Sequence, residues 1–410
     1  MSKVATPATS AATCQKVMVV FGTRPEAIKL APMVLALQND PRFELCIVST
    51  GQHREMLWPI LEWFGVKPHH TLDVMAPKQP LAFLSGKLLN GLHTLMEAEQ
   101  PDIVVVQGDT TTAFMAALTA YYGYDYFVRN DRGGRHHIQV AHLEAGLRTY
   151  NNYAPFPEEV NRKLIGHIAS WHFAPTATAA QALFDENITD NVFITGNSAI
   201  DALHLTVERL GDGTAARPLP EGLTEADITK PYVLITGHRR ENYGDGFEHI
   251  CAAIAQLAQR YPTHNFIYPV HLNQHVQGPV HEMLGNLPNV LLIPPVDYPD
   301  FVNLMRHSLL ILTDSGGIQE EGPALGKPVL VMRDLTERPE GILAGTNRLV
   351  GTTQKGIFEN VCELLDDVAA YTAMSKAVNP YGDGMATQRI LNLLAGETAE
   401  ENTFVPAYAA

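Results

Sequence analysis

Cysteine is scarce in this chain of 410 residues: Cys14, Cys46, Cys251 and Cys362 stand far apart and form no CxxC pair. That spacing argues against a disulfide framework or a zinc knuckle and fits reduced thiols. Long apolar runs are missing too, since none approaches the ~20 residues that a membrane helix needs. The opening MSKVATPATSAATCQ has no apolar core of a signal peptide, so residues 1–15 read as a frayed tail and the protein as cytoplasmic. Positive charge is in short supply: 29 Lys and Arg face 44 Asp and Glu, a net charge of −15, which leaves no broad basic face for nucleic acid. No GxGxxG follows a strand, so a nicotinamide has no visible seat. His142 and Glu144 make an H-x-E, but neither PCxxC nor HExxH occurs, so a zinc deaminase and a zincin are excluded. The sequence calls for no metal and no cofactor.

What is present is a repeated alternation. The length is too great for one ordinary core, so two domains are expected. Short apolar, β-branched runs lie at 16–23, 44–50, 102–109, 137–144 and 192–197, then at 232–238, 265–270, 290–296, 309–314 and 328–332. Helical stretches separate them. This predicts an α/β protein with parallel sheets covered on both faces, built as two Rossmann-like domains facing across a cleft. The expected boundaries are an N-terminal domain over 16–208, a linker over 209–230 and a C-terminal domain over 231–383. The linker contains GDGTAARPLPEGLTEADITK, rich in Gly, Pro and charge. Residues 384–410 read as a helix and tail that would pack back on the first domain.

Polar residues gather at the C-terminal ends of the runs, where open α/β sheets bind ligands. The stretch LLILTDSGGIQEEGPALGKPVLV (309–331) ends a strand at Asp314 and opens a helix at Ser315-Gly316-Gly317. Free N–H groups there suit a phosphate, and Glu320 or Glu321 suits a ribose diol; an ordinary helix start with acidic first-turn residues explains the same letters. Gly322 to Lys327 is no P-loop: the spacing is one residue short and a strand follows it rather than precedes it. Gly326 reads as the end of that helix. Arg24 and Lys29 in FGTRPEAIKLAP suit a diphosphate clamp, although a solvated Arg and Lys at a helix start explain the same letters. Asp109, Glu144 and Glu158 are candidates for proton transfer, although Asp109 also suits a helix cap. His238, Arg239 and Arg240 in GHRRENYG, with Arg338 in TERPEG, add cations on the other side.

Taken in order, FGTRPEAIKLAP, STGQHREML, QGDTTT, HLEAGLRT, PEEVNR, ITGNSAIDAL, GHRREN, YPVHLN, LTDSGGIQEEGPALGKPVLVMRD and TERPE resemble the bacterial non-hydrolysing UDP-N-acetylglucosamine 2-epimerases. The resemblance runs from about Lys16 to the NPYGDG stretch at 379–384. It implies the two-domain GT-B fold, a UDP-sugar between the domains, a homodimer, and interconversion of UDP-GlcNAc and UDP-ManNAc for envelope polysaccharide. It also implies active-site roles for Arg24, Lys29, Asp109, Glu144, Glu158 and His238. UDP contacts would come from Ser315, Gly316, Gly317, Glu321 and Arg338. Gln52, Arg239 and His271 match a site for a second UDP-GlcNAc as activator. Glu55 and Lys78 stand where some relatives have Gln and Arg, Gln107 stands where His is common, and 122–137 is longer than the usual loop. Competing readings are a hydrolysing 2-epimerase, an epimerase of another UDP-2-acetamido sugar, a GT-B glycosyltransferase and a non-catalytic UDP-sugar sensor.

Overall fold

A computed structural model describes residues 14–52, 54–76, 79–129, 137–211 and 217–406. The first sheet is built from β1 (Gln15–Phe21), β2 (Phe43–Ser49), β3 (His70–Thr71), β4 (Ile103–Gln107), β5 (Gln139–Leu143), β6 (Trp171–Ala174) and β7 (Val192–Ile194). The second holds β8 (Tyr232–Thr236), β9 (Asn265–Pro269), β10 (Val290–Ile293), β11 (Leu310–Thr313), β12 (Val329–Val331) and β13 (Asn347–Leu349). Their spatial orders are 3-2-1-4-5-6-7 and 10-9-8-11-12-13, with every pairing parallel. The chain is therefore an α/β protein of two Rossmann-like sheets, as expected.

The central strands are apolar throughout because helices cover both faces. Val17, Met18, Val19 and Val20 of β1 are all fully buried, so no alternation of polar and apolar residues remains to mark one face. Three short strands escape a reading by hydrophobic runs. β3, β6 and β13 have two to four residues each, and their sequences HT, WHFA and NRL are partly polar.

Each sheet reverses its winding once, between β1 and β4 and between β8 and β11. The crevice that such a reversal opens lies beyond the C-terminal strand ends. The loops after these four strands carry Arg24, Asp109, His238 and Ser315, so the topology alone gathers them at the sheet edges.

Some boundaries differ from the sequence reading. The helix Ser198–Gly211 runs three residues into the expected linker, and Glu225–Thr229 is helical within it. The helix Thr111–Arg129 takes in the first half of the stretch expected as a long loop over 122–137, while 130–136 lie outside the described residues. Lys78 and the side chain of Glu55 lie outside them as well.

The two halves are packed together. Phe64 meets Tyr298 with ring centroids 6.4 Å apart, and Arg217 lies 5.8 Å over the Trp63 ring. The helix Ala386–Leu394 returns to the first sheet's layer. Its Leu391 and Leu394 share a core with Leu30 and Val34 of the helix Arg24–Gln38. Asp201 receives the N–H groups of Thr387 at 2.7 Å and Ala386 at 3.3 Å, which satisfies donors that a helix start leaves free. Asp201→Ala strands those buried donors and is expected to lower unfolding stability by about 1–3 kcal/mol. Asp201→Asn, which keeps an acceptor, loses less; urea unfolding of the two variants checks this.

Candidate active site

The loop after β1 is held by a buried carboxylate that the sequence reading passed over. Glu26 receives the N–H groups of Gly22 at 3.0 Å and Thr23 at 2.8 Å, and the Thr23 hydroxyl at 2.8 Å. Its other oxygen receives the Thr110 hydroxyl at 2.6 Å. Glu26 thus ties the Arg24 turn to the loop that carries Asp109. The T-x-x-E spacing of Thr23 and Glu26, the signature of a capping box, was the available signal. Thr110 also caps the helix Thr111–Arg129 by accepting from Ala113 N–H at 3.0 Å. Asp109 is consequently spared the capping duty its position suggested.

The three candidate carboxylates have different surroundings. Glu144 is buried, and its backbone holds a left-handed φ of 63°, uncommon outside glycine and costly by about 1–2 kcal/mol. Its carboxylate pairs with the Lys29 ammonium and receives Gln107 Nε2 at 3.0 Å. Arg162 Nη2 lies 3.5 Å from its other oxygen and also pairs with Asp109. Burial pushes the Glu144 carboxyl up, but Lys29, Arg162 and Arg338 outweigh it and hold it below the ordinary carboxylate range. Burial likewise opposes the Lys29 charge, which Glu144 and Glu320 restore and strengthen. Glu158 is half-buried, at the first turn of the helix Glu158–Ile168. It makes no ion pair with a described residue. Burial, with the nearby Asp109 charge, pushes its carboxyl up.

Across the cleft, Asp314 organises the loop after β8. It is fully buried and receives the N–H groups of His238 at 2.9 Å and Arg239 at 2.8 Å. Its second oxygen has no hydrogen-bond partner among the described residues and lies 3.5 Å from His238 Nδ1. His238 stacks on His271, ring centroids 5.5 Å apart. Burial, His271 and Arg239 lower the imidazole's pKa against the opposing pull of Asp314.

Ser315 stands at the N-cap of the helix Gly316–Ala324. A Cβ on Gly317 would meet open space, whereas one on Gly316 would come within 3.3 Å of the Arg338 guanidinium carbon. The two glycines therefore differ: Gly317 leaves room in the cleft, and Gly316 leaves room for Arg338. Glu320 is buried and taken up by Arg338 Nε and Asn197 Nδ2, each at 2.8 Å. Glu321 instead receives, among the described residues, the Tyr298 hydroxyl alone, at 3.1 Å, and burial raises its carboxyl to about 7.

These groups border one cavity of about 370 Å³ between the two halves. Arg24, Lys29, His238, His271, Ser315, Gly317 and Glu321 line it. Asp109, Glu144 and Glu158 do not; Glu144 pairs with Lys29 from behind the lining, and Asp109 is linked to it through Arg162. Arg338 and Gly316 sit just behind the lining, through Glu320. Arg239 turns toward Glu337 at 3.5 Å, the side chain of Arg240 lies outside the described residues, and Gln52 receives the Thr112 hydroxyl at 2.7 Å in the first half. Among the described residues one group of three metal-type donors occurs, Cys46, His70 and Glu99, within 4.8 Å of one another. Glu99 is already engaged by Lys16 at 2.7 Å and His70 at 2.8 Å, beside the starts of β1 and β2 and away from this cavity.

Comparison with known proteins agrees with this architecture. The family described as UDP-N-acetylglucosamine 2-epimerase matches residues 35–395. The UDP-N-acetylglucosamine 2-epimerase of Escherichia coli (strain K12) is 50% identical over 381 residues, 92% of this chain and 98% of that one. The corresponding protein of Campylobacter jejuni is 46% identical over 93% of this chain and 97% of its own. The crystal structure of UDP-GlcNAc 2-epimerase from Neisseria meningitidis bound to UDP-GlcNAc superposes with a TM-score of 0.81 at 43% identity, covering 92% of this chain and 99% of that one. A two-halved cleft in this order of motifs, matched along nearly its whole length, places the chain in the UDP-N-acetylglucosamine 2-epimerase family.

Proposed function

We propose that this protein interconverts UDP-GlcNAc and UDP-ManNAc without a cofactor and without releasing free sugar. The observation that carries the reading is a single cavity lined by the helix start at Ser315 and by Lys29, whose ammonium pairs with Glu144 of the carboxylate cluster behind it. The helix start at Ser315 and Gly317, with Arg24 and His238, suits a diphosphate. Glu321, held off from Arg338 by its neighbour Glu320, suits the ribose diol. Arg338 strengthens the positive field behind the helix start.

The C2 proton of the sugar is not acidic, and no neighbouring ketone is made. A carboxylate therefore removes it as the C1–O bond breaks. The C–H electrons form the C1–C2 double bond, and the C1–O pair leaves with the β-phosphate of UDP. UDP then adds back to C1 while a proton reaches C2 on the opposite face. Asp109 and Glu144, both paired with cations, suit the acceptor role; Glu158, with its raised carboxyl, suits the donor. His238 and Arg24 suit the departing UDP dianion, and the enclosing halves keep water from the intermediate. A second UDP-GlcNAc would activate through Gln52, Arg239 and His271, since His271 stacks on His238 and shares the cavity. A homodimer, a cytoplasmic location and supply of ManNAc units for envelope polysaccharide follow from the family resemblance.

Incubation with UDP-GlcNAc is expected to yield UDP-ManNAc by anion-exchange chromatography. Free ManNAc with stoichiometric UDP would move the protein to the hydrolysing type, and no product would overturn the reading. Glu158→Gln is expected to slow turnover by about 100- to 10,000-fold while UDP affinity stays within about threefold. Glu321→Gln, which replaces one of the two carboxyl oxygens facing the ribose diol by an amide, is expected to weaken UDP binding by about 3- to 30-fold in calorimetry.

A further inference from the structure

Arg162 belongs to none of the roles above, yet it stands between two of the three candidate carboxylates. Its Nη2 pairs with Asp109 and lies 3.5 Å from Glu144. Its side chain is 11% exposed, and its Nε is buried with no hydrogen-bond partner among the described residues. An arginine serving packing alone would ordinarily have that donor satisfied, because a buried unpaired N–H is costly. The neighbouring Asn161 fixes the same loop from the other side, donating to the Asp109 carbonyl at 2.9 Å.

The charges form a chain of alternating sign: Lys29, Glu144, Arg162, Asp109. Two carboxylates this close cannot both ionise in a buried site unless a cation lies between them. Glu158 begins the same helix four residues before Arg162, a spacing that would normally pair the two. Here the guanidinium goes to Asp109 and Glu144 instead, and Glu158 is left over.

We propose that Arg162 is a positioning residue that keeps Asp109 and Glu144 side by side as carboxylates and leaves Glu158 as the proton donor. The inference rests on the epimerase reading above and deepens it. The charged and polar groups facing this centre come from several elements. Lys29 lies on the helix after β1, Gln107 at the end of β4, His142 on β5 and Glu158 on its own helix. Arg338 acts on Glu144, and Glu320 on Lys29, from the second half. Among these, Arg162 alone touches both Asp109 and Glu144.

A carboxylate that loses a neighbouring cation takes up a proton more readily. The acid-side limb of activity, where the base must be ionised, therefore moves to higher pH. The experiment compares the pH dependence of kcat/KM for the wild type, Arg162→Met and Arg162→Lys, with UDP affinity from calorimetry. Arg162→Met is expected to lose about 100- to 1,000-fold at pH 7 through misplaced carboxylates, to show an acid-side limb shifted up by about one unit or more, and to bind UDP within about threefold of wild type. Arg162→Lys, which keeps charge but not reach, is expected to fall between the two. A limb unmoved in folded Arg162→Met overturns the inference, as does loss of UDP binding in step with turnover. If Arg162→Met does not fold, an unmoved limb in Arg162→Lys overturns it. A wild type without turnover would overturn the proposed function and this inference together, whereas an active wild type with unshifted variants would overturn this inference alone.

Discussion

Buried charge is the constraint on which the rest of this site depends. A carboxylate taken out of water must find a cation or a proton, and the protein answers in both ways. Glu144 and Asp109 are given Lys29 and Arg162, while Glu158 and Glu321 are pushed toward their protonated forms. The same rule sorts the adjacent pair Glu320 and Glu321. Both border the cavity, but Glu320 is taken up by Arg338 and Asn197 and so holds the two halves together, while Glu321 carries no ion pair with a described residue.

The parallel sheets make this arrangement available. Each sheet reverses its winding once, and the loops beside the two reversals supply the opposing walls. Neither wall is complete alone, since one has Arg24 and Lys29, backed by Glu144, and the other has the helix start and His238. Two buried acids keep those loops in place. Glu26 binds the Arg24 turn to the Asp109 loop, and Asp314 binds the His238 loop to the end of β11. The ligand cavity is thus framed by carboxylates whose own role is backbone geometry.

Much of the fold was legible in the sequence, for a physical reason. Strands covered on both faces are continuous β-branched runs, and KVMVVFGT or DIVVVQGD can hardly be read otherwise. β3 and β13 could not be found that way, because two or three residues at a sheet edge carry no such pattern. The lining residues Arg24, Lys29, His238, Ser315 and Glu321 were visible as polar breaks at strand ends. Arg162 was not: in PEEVNR it reads as an ordinary partner for Glu158 one turn away. Only the tertiary fold brings Asp109 and Glu144 closer. The helical course of 122–129 was hidden by the aromatic and charged letters that made it resemble a loop.

Breakage of the C2–H bond is the event that the proposed roles of these carboxylates require. The direct measurement is proton NMR of UDP-GlcNAc incubated with the protein in D2O. Cleavage at C2 predicts that UDP-ManNAc appears with deuterium at C2, its anomeric proton losing the coupling to that position, while UDP stays attached. UDP-ManNAc that retained the original hydrogen at C2 would contradict elimination and re-addition, and with it the roles given to Asp109, Glu144 and Glu158.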